Sequence, residues 1–284
     1  MKKILSLLLL AVILTGCGKS LELNVLSFNI RYDNPGDEFN SWQFRKEAVT
    51  QLIRHQDADI VGTQEVLQHQ LEGIKVLLPE YTYLGVGRED GDKKGEYCAL
   101  MFKTNKFDNL QSGYFWLSET PDVAGSKGWD GACERIATWA ILKDKITQKS
   151  LFVINTHLDH MGKIARQEGV SLLLDQVEKL SNGLPVIITG DFNATPKSEV
   201  ILHVLDTSVP RQLYHSKDIA DETIGTNWTF HGFGNVPESE RQFIDYIFVT
   251  DGVKVKSHEV LPAKFNDRYV SDHSVVKAKI KLKD

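Results

Sequence analysis

Pro185-Val186-Ile187-Ile188-Thr189-Gly190-Asp191-Phe192-Asn193 is an apolar run that breaks abruptly into an Asp-x-Asn. Its β-branched, uncharged residues, bounded by Pro and Gly, read as a short buried strand. A carboxylate and an amide stand at its end, with Phe192 free to pack inward between them. The arrangement recurs along the chain. Leu21–Ile30 alternates and ends in Ser27-Phe28-Asn29, Ala58–Gly62 leads into Gln64-Glu65, and Phe152 leads through Asn155-Thr156 to His157. Ser271-Asp272-His273 stands just before the alternating segment Ser274–Leu282. Polar residues at strand ends can converge at one edge of a packed sheet structure, where loops carry function.

The remaining pattern fills in the elements around these tips. Trp42–His55 carries an apolar stripe of Ala48, Val49, Leu52 and Ile53 at helical spacing, and Leu67–Leu78 is helical up to Pro79. Tyr81–Val86 and Tyr97–Lys103 read as strands around the polar turn 88–96, and 112–134 reads mostly as loop. Arg135–Leu142 and Leu151–Thr156 are predicted to form an antiparallel hairpin, followed by a helix over Ile164–Leu180. A short helix near Ser198–Leu205 precedes a polar excursion to Asn235, and Phe243–Val249, Val253–Val260 and Ser274–Leu282 close the fold as strands. Strands outnumber helices, and the helices come singly between them. Two sheets packed face to face with helices outside accommodate this order.

Composition narrows the class. The 284 residues, 42% hydrophobic, contain no repeat and no Pro-, Gly- or Ser-rich linker, so one large domain is expected. The N-terminus stands apart: Lys2 and Lys3 precede an apolar run, Ile4–Leu14, too short to span a bilayer comfortably, and Leu14-Thr15-Gly16-Cys17 follows. This is similar to a bacterial lipoprotein signal, in which residues 1–16 are removed and Cys17 is lipidated. An ordinary secretory signal with an incidental cysteine is the alternative. The expected product is an exported lipoprotein, held on a bilayer through Cys17, with residues 17–21 as tether and 22–284 as the catalytic domain. Loss of Lys2 and Lys3 takes the formal charge from −5 to −7. Such an acidic chain lacks the electrostatic footprint of a duplex-DNA binder. Cys98 and Cys133 read as separate thiols rather than a disulfide.

The chemistry lies in the set of tips. Glu65 follows a buried strand and must be solvated, paired or metal-bound; alone it reads as a surface residue opening the next helix. With Asn29 it could offer hard oxygens to Mg²⁺, and nothing favours zinc. Asp191 and Asn193 could orient water or form an Asx turn. Asp245, isolated in Phe243-Ile244-Asp245-Tyr246-Ile247-Phe248, needs a partner, and His273 supplies one by the usual tautomer-fixing pairing. His157 could donate to a phosphoryl oxygen. Together these groups suit metal-assisted attack of water on a phosphate ester.

The ordered set Asn29, Gln64-Glu65, Asn155-Thr156-His157-Leu158, Gly190-Asp191-Phe192-Asn193, Ile244-Asp245-Tyr246-Ile247 and Ser271-Asp272-His273 resembles the endonuclease/exonuclease/phosphatase family over about residues 22–282. The resemblance implies an α/β four-layer sandwich, two mixed β-sheets face to face with helices on the outside. It implies Mg²⁺-dependent phosphoester hydrolysis, with Mn²⁺ as a substitute. It also implies Asn29, Glu65 and Asp272 at the metal, Asp191 and Asn193 on the water and phosphate, His157 and His273 on the phosphate, and Asp245 behind His273. Gly87-Arg88-Glu89-Asp90-Gly91, Phe115–Pro121 and Gly128-Trp129-Asp130 resemble a bacterial branch of metal-dependent hydrolases. One departure is Arg31, which stands where abasic-site endonucleases carry an acidic residue.

Arg88, Arg135 and Trp129 are further candidates for substrate contact, the arginines because guanidinium forks onto phosphate oxygens. Against this, most arginines are solvated and a loop Trp often only covers core. A small phosphoester substrate is favoured over nucleic acid, with a nonspecific nuclease and a non-catalytic binding protein as the alternatives.

Overall fold

The computed structural model describes residues 20–208 and 211–282, so the expected signal sequence and lipidated Cys17 lie outside the described residues. In chain order the strands are β1 (Leu21–Asn29), β2 (Ile60–Val66), β3 (Tyr81–Leu84), β4 (Tyr97–Lys103), β5 (Phe107–Trp116), β6 (Ile136–Asp144), β7 (Ser150–His157), β8 (Val186–Asp191), β9 (Leu213–His215), β10 (Glu222–Ile224), β11 (Asp245–Thr250), β12 (Val253–Val260), β13 (Lys264–Phe265), β14 (Arg268–Tyr269) and β15 (Val276–Leu282). The helices are α1 (Trp42–His55), α2 (Gln68–Leu77), α3 (Lys163–Leu180), α4 (Glu199–Val204) and α5 (Ser216–Ile219).

Two mixed sheets carry the fold, in the orders β10-β12-β15-β1-β2-β4-β3 and β5-β6-β7-β8-β11-β9. At the centre of each lies a parallel pair joined through a helix, β1 with β2 and β7 with β8. Antiparallel neighbours flank both pairs: β4 and β15 in the first sheet, β6 and β11 in the second. Both faces of the central strands are buried, so they read as nearly continuous apolar runs. On β1, Leu21, Leu23 and Val25 point between the sheets and pack with Val153 and Ile187, while Leu26 and Phe28 point outward onto Val49, Leu52 and Ile53 of α1. On the far side, Phe152 and Ile188 pack under Val170, Leu173 and Val177 of α3. The expected four layers are therefore present.

The sheets are pinned together by polar groups as well as apolar ones. Asn155 Oδ1 accepts from Gln64 Nε2 (2.7 Å) and Thr189 Oγ1 (3.0 Å), and its Nδ2 donates to the carbonyls of Thr63 and Ala99. Gly62 makes this approach feasible, since a Cβ there would fall 2.0 Å from Thr189 Oγ1. Gln64 and Asn155, which sequence placed among the strand-end polar groups, thus form an inter-sheet strut.

Two stretches differ from expectation: β9, α5 and β10 lie within the polar excursion read up to Asn235, and β5 takes in part of a predicted loop. The segment predicted as loop from residue 112 belongs, through Trp116, to β5, an edge strand with Asp108–Ser112 exposed. An edge strand needs no apolar alternation on its solvent side, so its pattern is weak.

Candidate active site

The C-terminal ends of β1, β2, β7 and β8 meet above the sandwich. Register fixes the meeting: Asn29 lies opposite Gln64, His157 opposite Asp191, and Asp191 opposite Asp245 at the start of antiparallel β11. The segment before β15 brings Asp272 and His273 alongside. A cavity of about 530 Å³ opens there, lined by Glu65, His157, Asp191, Asn193, Asp272 and His273 among others. Arg31, Glu65 and Asn193 have φ of 59°, 60° and 47°, left-handed values that L-residues hold only when their surroundings enforce them. For Glu65 the enforcement is a β-bulge opposite β4, which turns the side chain out of the pleat and into the cavity.

Asp191 is the hub. Its Oδ2 accepts from Asn29 Nδ2 (3.0 Å), its Oδ1 accepts from the Asn193 backbone N–H (2.9 Å), and the Nε2 atoms of His157 and His273 lie 3.4 and 3.8 Å from Oδ2. Burial, reinforced by the neighbouring Asp245 carboxylate, pushes its pKa up to about 7. His273 Nδ1 meets Asp245 Oδ2 at 2.8 Å. Burial alone would lower the imidazole, but Asp245 outweighs it and holds the pKa well above the ordinary value. His157 is the reverse: burial, with Arg135 and Arg88 nearby, drives its pKa well down.

Two residues take orientations that sequence did not anticipate. Asn29 Oδ1 accepts the Arg31 backbone N–H (3.0 Å), which turns Nδ2 toward Glu65 Oε1 and Asp191 Oδ2, both at 3.0 Å. Asn29 therefore orders two carboxylates through its Nδ2. Asn193 Nδ2 donates to the Leu158 carbonyl and lies against His157 Nε2 (3.0 Å each).

Among the other candidates, Arg135 and Arg88 line the cavity and Trp129 does not. Asp130 accepts the backbone N–H groups of Ile164 and Ala165 at the start of α3, and the Trp129 N–H binds Glu119, so this loop docks away from the cavity. Both terminal nitrogens of Arg88 are taken by Glu96, at 2.8 and 2.9 Å, so Arg88 enters the cavity already neutralised. Arg135, 6% exposed, binds Asp159 through Nε and His160 Nδ1 through Nη2, while Nη1 has no hydrogen-bond partner among the described residues. Cys98 and Cys133 are free thiols.

Sequence reasoning missed Arg45, Asp159 and His160. Arg45, 1% exposed, donates to the carbonyls of Ile30, Arg31, Asn40 and Val270, tying the end of β1 to the segment bearing Asp272 and His273. The signal was available: Arg45 falls on the buried stripe of α1, three residues after Trp42 and four before Val49. Asp159-His160 repeats the Asp-His pairing of 272–273 just past a strand end.

Residues 24–273 match the endonuclease/exonuclease/phosphatase family. The chain belongs to that family. Its members are phosphoester hydrolases, phosphatases and nucleases alike, which is the reaction class of this chain. Residues 1–17 match the prokaryotic membrane lipoprotein lipid attachment site, in keeping with an exported, membrane-anchored protein. A Bacteroides vulgatus protein of the family is 41% identical, with a TM-score of 0.89 over 93% of this chain and all of that one. A mannosyl-6-phosphatase of Bacteroides thetaiotaomicron is 37% identical, with a TM-score of 0.82 over 91% of this chain and 99% of that one. A CCR4-Not 3'-5'-exoribonuclease subunit of Mycosarcoma maydis is 26% identical over 80% of this chain, which spans only 44% of that protein.

Proposed function

We propose that this chain is an Mg²⁺-dependent hydrolase of small phosphoesters, in the first place a sugar phosphate, acting outside the cytoplasm from a lipid anchor on Cys17. The observation that carries the reading is the convergence, in one cavity, of the Glu65 and Asp272 carboxylates with the chain Asp191, His273, Asp245. The donor set fits a hard divalent ion, with Glu65 and Asp272 as holders and Mn²⁺ as a substitute. When bound, the ion supplies Lewis-acid polarisation of the phosphoryl oxygen and neutralisation of developing charge.

The remaining work falls to the chain. Asp191, with its pKa pushed up to about 7, accepts the proton of the attacking water at Oδ2 and is matched to general-base work near neutrality. His273, held protonated by Asp245, offers Nε2–H to the charge that builds on the phosphoryl group. His157 stays neutral and fixes Asn193 beside Asp191. Arg135 Nη1 is the free donor for the substrate's remaining oxygens.

Three observations support a small substrate: the cavity of about 530 Å³, the acidic net charge, and the 37% identity to a mannosyl-6-phosphatase. Purified protein, assayed on mannose 6-phosphate, other sugar phosphates, nucleotides, RNA and duplex DNA with and without EDTA, tests the reading. Sugar phosphates should be cleaved fastest and EDTA should abolish turnover. Faster cleavage of RNA or DNA would make the protein a nuclease, and EDTA-resistant turnover would remove the metal.

A further inference from the structure

Arg31 is the most elaborately held side chain of the cavity. Its left-handed backbone is fixed by Asn29 Oδ1 on its N–H and by Arg45 and Gln70 on its carbonyl. Its guanidinium grips Asp37 with two hydrogen bonds, Nε to Oδ2 at 2.9 Å and Nη2 to Oδ1 at 3.1 Å, and lies 4.4 Å from the Tyr32 ring centroid. So anchored, it reaches the two carboxylates assigned above to the divalent ion: Nη1 is 3.9 Å from Glu65 Oε2, and Nε is 3.8 Å from Asp272 Oδ2. These separations are too long for hydrogen bonds and short enough for strong Coulombic attraction.

We infer that Arg31 is a permanent second cation of this site, so that the chain takes one divalent ion and the guanidinium holds the ground beside Glu65 and Asp272 that a second ion would need. The charge balance carries it. Arg31 with Asp37, Glu65 and Asp272 leaves a net charge of minus two, which one divalent ion cancels. A second ion would have to settle beside a guanidinium that cannot shed its proton and that Asp37 and Tyr32 keep from swinging away. The backbone clamp has the same sense, because a residue whose only task was to be solvated would not need its peptide fixed on both sides.

The inference rests on the metal-dependent reading, and Mn²⁺ binding separates the two. Mn²⁺ titrated into the full, metal-stripped chain, followed by calorimetry and by electron paramagnetic resonance, should give one ion per chain. Arg31→Met removes the charge and keeps the bulk. It should either admit a second Mn²⁺ or bind the first about tenfold more tightly, as loss of a like charge beside the same two carboxylates requires. Arg31→Lys, which keeps a charge, should stay at one ion, and thermal melting of both variants checks that they are folded. Should Arg31→Met not fold, Arg31→Gln, which removes the charge and keeps a polar head for Asp37, takes its place with the same expectation. Two ions in the wild type, or unchanged stoichiometry and affinity once the charge is removed, would overturn the role given to Arg31. No Mn²⁺ binding by the wild type would overturn the metal-dependent reading and this inference with it.

Discussion

Strands β1 and β2, joined through α1, and strands β7 and β8, joined through α3, are each a parallel pair at the middle of a sheet, and each brings a carboxylate to the same cavity. The surroundings of the two carboxylates differ. Glu65, on the first pair, lies within reach of Asp272 and of the guanidinium of Arg31, so charge is answered there by charge. Asp191, on the second, is buried beside the Asp245 carboxylate; burial and that neighbour outweigh the pull of His273, so its charge is suppressed and the group is poised to take a proton. One topology thus builds two electrostatic environments, and the proposed reaction uses both: one for a cation, one for the proton of water.

The contrast can be broken at either end. Asp191→Asn removes the proton acceptor and leaves the hydrogen-bonding shape, so kcat should fall about 10²–10⁴-fold with Mn²⁺ affinity little changed. Near-normal turnover would mean that the second pair does not supply the base. Arg45→Met acts on what positions the first pair. It orphans the buried carbonyls of Ile30 and Val270, and urea unfolding should show a loss of about 3 kcal/mol. A loss under about 1 kcal/mol would show that the end of β1 and the 270–273 segment are held by packing instead.

Away from both pairs, His215 and His258 pack with ring centroids 5.5 Å apart, and burial holds their pKa values down to about 3 and about 4. In the unfolded chain they titrate near 6.5, so below that pH the unfolded state binds more protons than the folded one. Their contribution is whole above about pH 7 and is lost as pH falls from 6.5 toward the folded values. The loss should be about 1.4 kcal/mol per pH unit for each histidine. Unfolding free energies at pH 7 and pH 5, compared between the wild type and a His215→Gln/His258→Gln double variant, isolate it; the same pH dependence in both would mean that the two rings are hydrated. The smallest effect is expected from a paired substitution. Arg135→Ala should raise KM several-fold, with a modest fall in melting temperature from the lost contacts to Asp159 and His160, whereas Trp129→Ala, outside the cavity, should leave kcat/KM within about twofold. Equal effects of the two would end the distinction between cavity wall and docked loop.

The strand tips were legible because a carboxylate or imidazole after an uncharged β-branched run has few structural excuses, and the α1 stripe was legible from its period. β5 was not, since an edge strand carries polar residues on its open side. The orientations of Asn29 and Asn193 were not legible either. They depend on which amide atom a neighbouring backbone group claims, and no spacing in the sequence records that. Arg45 sat in plain view on an apolar stripe, but a lone arginine there reads as an interruption until its four carbonyl partners are known.

The direction of β1 has one more consequence. The strand starts at Leu21 and ends at Asn29, beside the catalytic cavity. Nine residues of strand span about 30 Å. On the proposed reading, a lipid on Cys17, only four positions before β1 begins, would attach the molecule by the end remote from its chemistry. Anchored in this way, the enzyme would stand on the bilayer like a cup set on its base, its mouth turned to the medium and to solutes arriving from it.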